Sequence, residues 1–146
     1  MKNLETRIRI NASVDDVWNV LTDFKSYPEW NPFVIKIDGK GEVGQHLTND
    51  IKMEGSAVQT FRPLVLVRDE NKEFRWKGKL FVTGLFDGEH YFQLKSISEN
   101  ETEFIHGEIF SGVLVALVMG LIGEKTKAGF EAMNTALKNR VENLNA

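Results

Sequence analysis

The sequence predicts an α+β fold, a curved antiparallel sheet wrapped around one long C-terminal helix, with two short helices after the first strand. Three observations carry this. Apolar residues alternate with polar ones, at a period of two, in segment after segment from Leu4 to Phe110. A helix-start pattern in that stretch follows the first strand, at Ser13. From about Gly112 to Asn143 the period changes to 3.6.

Leu4, Thr6, Ile8 and Ile10 alternate with Glu5, Arg7 and Arg9, which describes a half-exposed strand. At Ser13-Val14-Asp15-Asp16 the serine hydroxyl can cap an orphan N–H, and both aspartates favour the positive helix end. Val14, Val17, Trp18 and Leu21 form the inner face of the helix that follows. It is expected to stop near Asp23, because Tyr27-Pro28 and Asn31-Pro32 disfavour helical backbone before each proline. Strands are then expected at Phe33 to Asp38, Leu47 to Met53 and, as one long element, Ala57 to Arg68. Asp69-Glu70-Asn71-Lys72 reads as a hairpin turn into the strand of Phe74, Trp76 and Gly78. Glu89 to Ile97 and Thr102 to Phe110 form a last hairpin.

In the C-terminal helix, Ile122, Thr126, Phe130, Met133, Leu137 and Val141 fall within an arc of about 100° at 100° per residue. Gly129, Ala132 and Ala136 form a small-residue stripe beside it, which would let the backbone approach the sheet. A long helix held against a bent sheet leaves space between them, and a pocket of roughly 300–1,000 Å³ is expected there.

Composition narrows the function. Eighteen Lys and Arg against 21 Asp and Glu give a net charge of −3 and argue against nucleic-acid binding. Cysteine is absent, which removes disulfides, thiol nucleophiles and cysteine-bearing metal sites and is compatible with a reducing compartment. The N-terminus is charged and alternating, unlike a signal peptide. The longest apolar run, Val113 to Ile122, has ten residues including Gly120, against roughly 20 for a membrane span. A cytoplasmic protein of one domain over residues 1–146 is expected.

Several segments resemble the START-like (SRPBCC) superfamily. Ile10-Asn11-Ala12-Ser13-Val14-Asp15-Asp16-Val17-Trp18 with Leu21-Thr22-Asp23-Phe24 is similar to its opening, and Tyr27-Pro28-Glu29-Trp30-Asn31-Pro32-Phe33 to its most recognisable stretch. Glu108 to Gly112, followed by Gly129 to Asn134, resembles the closing segment of polyketide-cyclase/dehydrase-type members. The resemblance implies a helix-grip fold, with a seven-stranded antiparallel sheet holding the C-terminal helix over a hydrophobic cavity. Members bind lipids, sterols, polyketides or plant hormones, and a minority are cyclases or hydrolases. A fold does not transfer a reaction.

Motifs of other classes fail on context. Gly39-Lys40-Gly41-Glu42-Val43-Gly44 matches G-x-G-x-x-G but runs into a strand-like segment rather than a helix. Glu124 interrupts the phosphate-loop-like Gly120 to Thr126. The glycosylation sequons at Asn11 and Asn100 lack a secretory signal. His46, His90 and His106 lack metal-ligand spacing, so no metal and no cofactor are expected.

On the last hairpin, His90 shares a face with Phe92 and Leu94, and His106 with Phe104, Glu108 and Phe110. His90, His106 and Glu108 are therefore candidates for polar ligand contacts or for an acid/base set, although satisfied structural histidines would look the same. Phe61, Trp76, Phe92, Phe104, Phe110 and Phe130 are expected to line the pocket in part, along with Thr126, Met133 and Leu137 of the helix stripe. The preferred expectation is a non-enzymatic carrier or sensor of a small hydrophobic molecule. The alternatives are a cyclase/dehydratase-type enzyme using His106 and Glu108, or a homodimer or peripheral membrane contact through Val113 to Ile122.

Overall fold

The computed structural model describes residues 1–80 and 82–145. Its order is β1 (Lys2–Ile10), α1 (Val14–Thr22), a 3₁₀ turn at Phe24–Ser26, α2 (Tyr27–Trp30), β2 (Val34–Asp38), β3 (Thr48–Ile51) and β4 (Gln59–Phe61). There follow β5 (Leu64–Asp69), β6 (Glu73–Leu80), β7 (Phe86–Ser98), β8 (Glu101–Ser111) and α3 (Val115–Leu144). The architecture is the expected helix-grip fold of antiparallel strands and a long C-terminal helix.

Two local expectations are corrected. Tyr27, although it precedes Pro28, has helical backbone (φ −52°, ψ −42°), because Pro28 sits in the first turn of α2, where its missing N–H costs nothing. Asn31, before Pro32, is extended as the rule requires. The single strand expected over Ala57 to Arg68 is two strands, β4 and β5, divided at Arg62-Pro63, since a proline cannot donate to a ladder.

That division splits the strands into two sheets. Five strands run in the order β1-β8-β7-β6-β5 and three in the order β2-β3-β4, so the described residues form eight strands where seven are implied. Backbone bonds from Leu47 to the Pro63 carbonyl and from Val65 to the Gln45 carbonyl, both 2.9 Å, stitch the two together. The G-x-G-x-x-G segment is the loop before these stitches, with Gly39, Gly41 and Gly44 all at positive φ.

The Ser13 side chain accepts from the Asp16 N–H at 3.2 Å and starts α1, which buries Val17, Trp18, Val20 and Leu21. Against β1, β8 and α1, the C-terminal half of α3 buries Phe130, Met133, Leu137 and Val141 in the main core. Its N-terminal end joins a smaller cluster of Phe110, Val115 and Met119. Of the small-residue stripe, Gly129 faces inward, where a Cβ would come within 2.5 Å of the Phe33 ring. Ala132 is exposed and Ala136 half-buried, because the stripe drifts off the contact line.

Candidate functional site

Strand register assembles the polar wall. Trp76, His90, Glu108 and Leu4 lie in one row across β6, β7, β8 and β1. Phe74, Phe92, His106 and Thr6 form the next row, on the same face of the pleat. His90 and His106 are thus diagonal neighbours.

A cavity of about 300 Å³ lies between the two sheets and the N-terminal half of α3. Six of the sequence candidates line it: Phe61, Trp76, His90, Glu108, Phe110 and Thr126. The other six, Phe92, Phe104, His106, Phe130, Met133 and Leu137, are buried outside its wall. They share the face but sit further along it, where rings pack on one another. Phe92 stacks on Phe104 at 5.8 Å, and His106 on Phe130 at 4.2 Å.

Sequence reasoning missed a second set of wall residues. Phe33 comes from the bend just before β2, Asn49 and Ile51 from β3, Met53 from the loop after β3, Phe86 from β7, and Val118 and Ile122 from α3. The period-two row of Leu47, Asn49, Ile51 and Met53, and the i, i+4 row of Val118, Ile122 and Thr126, were the available signals. Asn49 is buried, and its side-chain oxygen has no hydrogen-bond partner among the described residues.

A line of hydrogen bonds runs from the cavity wall into the core. Glu108 Oε1 lies 3.2 Å from His90 Nδ1, and His90 Nε2 lies 2.7 Å from His106 Nε2. His106 Nδ1 lies 2.8 Å from Asn134 Oδ1. Asn134 Nδ2 donates to Thr6 Oγ1 at 2.8 Å, and Thr6 Oγ1 donates to the His106 carbonyl at 2.9 Å. Burial, with His90 close by, holds His106 well below the usual histidine range, so it is neutral near pH 7. His90 is sandwiched between Trp76 at 5.0 Å and Phe33 at 6.4 Å, which fixes its ring plane. The Glu108 carboxyl folds back over Gly88, where any Cβ would overlap it. The three titratable groups lie end to end, and no cluster of potential metal ligands forms among the described residues.

Val113, Leu117 and Leu121 are 79%, 64% and 75% exposed, so one face of the α3 start is apolar and uncovered beside the cavity wall. Among the described residues no helix is long and apolar enough to cross a membrane.

A sheet gripping a long helix over a lined gap defines a START-like, helix-grip protein. The chain belongs to the family described as polyketide cyclase / dehydrase and lipid transport, whose model matches residues 1–142. A START superfamily protein from Mycobacterium smegmatis is similar in structure, with a TM-score of 0.74, 21% identity, and 97% of this chain and 98% of that one covered. ZhuI aromatase/cyclase from a Streptomyces species has a TM-score of 0.77 at 14% identity, covering 97% and 93%. A point mutant of norcoclaurine synthase from Thalictrum flavum, in complex with a transition-state analogue, has a TM-score of 0.77 at 17% identity, covering 99% and 96%. At these identities the likeness establishes the fold. No curated protein matches the sequence.

Proposed function

We propose that the protein binds a small hydrophobic molecule in the cavity between its sheets and α3, as a carrier or sensor. The observation that carries this is the contrast along α3, packed solid at its C-terminal end and open over about 300 Å³ at the other, with aromatic and aliphatic walls. The uncovered apolar face of Val113, Leu117 and Leu121 beside that opening supports transfer at a membrane or at a second copy of the chain. The cysteine-free composition suits a reducing, cytoplasmic compartment.

Titration with N-phenyl-1-naphthylamine, an apolar fluorescent probe, tests the reading. Saturable one-to-one binding is expected, lost in Ile122→Lys with the circular dichroism unchanged. Binding that Ile122→Lys leaves intact would place the guest elsewhere. For the apolar face, Leu117→Glu is expected to reduce liposome binding or the mass measured by light scattering. No change in either would end that part of the proposal.

The Glu108–His90 contact on the wall favours a second reading, an enzyme of the cyclase/dehydratase type. Glu108 and His90 would move protons on a polyketide-like substrate, with His106 behind them. Turnover that survives Glu108→Gln combined with His90→Gln would dispose of it.

A further inference from the structure

The polar line at the cavity wall has a direction that donor and acceptor chemistry fixes. The His106 carbonyl can only accept, so Thr6 donates to it and must accept from Asn134. The Asn134 amide is then oriented with its oxygen toward His106, and His106 carries its proton on Nδ1. The backbone of Phe130 favours a protonated ring at the same residue. Neutral His106 therefore presents a bare Nε2, and His90 Nε2–H donates to it at 2.7 Å. His90 Nδ1 faces Glu108 Oε1. A carboxylate facing a bare nitrogen would repel it, so that contact also holds a proton, on one atom or the other.

We propose that Glu108, His90 and His106 together hold one proton more than a carboxylate and two neutral imidazoles, and that this loaded line is the recognition site for a neutral apolar ligand bearing a hydroxyl group. The ligand class follows from the free oxygen. Glu108 Oε1 is occupied by His90, which leaves Oε2, over Gly88 on the cavity wall. Whether the shared proton rests on His90 Nδ1 or on Glu108 Oε1, Oε2 is an acceptor. An acceptor on an apolar wall selects a donor and rejects an anion, because a ligand carboxylate would leave like charges or lone pairs facing each other.

Removal of the proton breaks the line. With Glu108 ionised and both rings neutral, His90 must turn a bare nitrogen either to Glu108 or to His106, and one contact opens. The surroundings offer little compensation. Trp76 faces His90 from β6, Phe33 from the bend before β2, and Phe92 and Phe130 from β7 and α3. Thr126 and Asn49 are uncharged, and Lys79, exposed at the rim, is the only other charged residue among those lining the cavity. The geometry of the line therefore depends on that proton, while Glu108 Oε2 remains an acceptor in either form.

This inference rests on the proposed hydrophobic cavity, and three probes on one ring system separate the two. Calorimetric titrations with 2-naphthalenemethanol, 2-methoxynaphthalene and 2-naphthoate would run side by side under one buffer condition. The alcohol is expected to bind about tenfold more tightly than the ether, as one hydrogen bond to a charged or polarised acceptor allows, with naphthoate weakest. Glu108→Leu should bind alcohol and ether nearly alike, and Gly88→Ala, which displaces the carboxyl, should do the same. Equal binding of alcohol and ether by the wild type, tightest binding of naphthoate, or an undiminished preference for the alcohol in Glu108→Leu would overturn the inference while leaving the cavity reading intact. Failure of all three probes would overturn the cavity reading and the ligand assignment with it. The relay itself is read without any probe by ¹⁵N imidazole spectra. A neutral His106 protonated on Nδ1 beside a His90 whose two nitrogens both engage a proton is expected, and a His106 protonated on Nε2 would refute it.

Discussion

The two ends of α3 make opposite use of one amphipathic stripe. Toward the C-terminus, Phe130, Met133, Leu137 and Val141 meet β1, β8 and α1 and are fully buried among aromatic rings. Toward the N-terminus, Val118, Ile122 and Thr126 look across a gap at β3, β4 and the ends of β6 to β8. The helix presents an inward apolar stripe in both places. What differs is the opposite wall: α1 and β1 close one end, whereas the small sheet β2-β3-β4, separated from β5 at Pro63, stands away from the other. An apolar helical face becomes core or binding wall according to the layer in front of it.

Substitutions can break that contrast, beginning with the largest effect. Phe130→Ala removes a fully buried ring from the solid end and is expected to cost about 3–5 kcal/mol in urea denaturation. A loss below about 1 kcal/mol would mean that this end is no better packed than the other. Gly129→Ala, at the boundary, drives a Cβ toward Phe33 and is expected to cost about 1–3 kcal/mol. Phe33 is also cavity wall, so the same change should weaken binding of N-phenyl-1-naphthylamine; an unaltered affinity would separate the boundary from the site.

Acidification tests the polar line where it enters the core. Burial holds His106 below its ordinary value of 6.5, so above that pH the folded and unfolded forms are both neutral at this residue. Below it the unfolded chain takes up a proton that the folded chain refuses. Stability therefore falls with pH, by up to about 1.4 kcal/mol per unit, until the folded value is reached. His106→Gln should have a shallower acid limb than the wild type, measured by urea denaturation at stepped pH, and parallel limbs would contradict the neutral assignment. Smallest is Ile122→Ala at the open end, expected to cost about 1 kcal/mol or less while weakening probe binding several-fold. A cost equal to that of Phe130→Ala would show the gap to be core.

The fold was legible because its two periods are long and clean. Alternation marks the strands, and the arc from Ile122 to Val141 marks the helix. The site was half legible, for a physical reason. The pleat assigns His90, His106 and Glu108 to one face, but a face has length, and the alternation of apolar residues is the same where the layers touch and where they part. Phe104 and Phe110 are indistinguishable by period, yet the first is core and the second cavity wall. Asn49, Phe33 and Met53 are not marked by the pattern, because they lie in or beside the short strands β2 and β3 and their role depends on how far the small sheet stands off. Asn134 and Thr6, which orient His106, lie 128 residues apart and are joined only by the packing of α3 on β1.

A crystal structure of freshly expressed protein soaked with 2-methoxynaphthalene tests the existence and position of the binding gap most directly. The account predicts ring density between Phe33, Trp76, Phe61 and Ile122, with Phe104 and Met133 unmoved and out of contact. A collapsed gap with no density, or a ring lodged among Phe104, Phe130 and Met133, would contradict it.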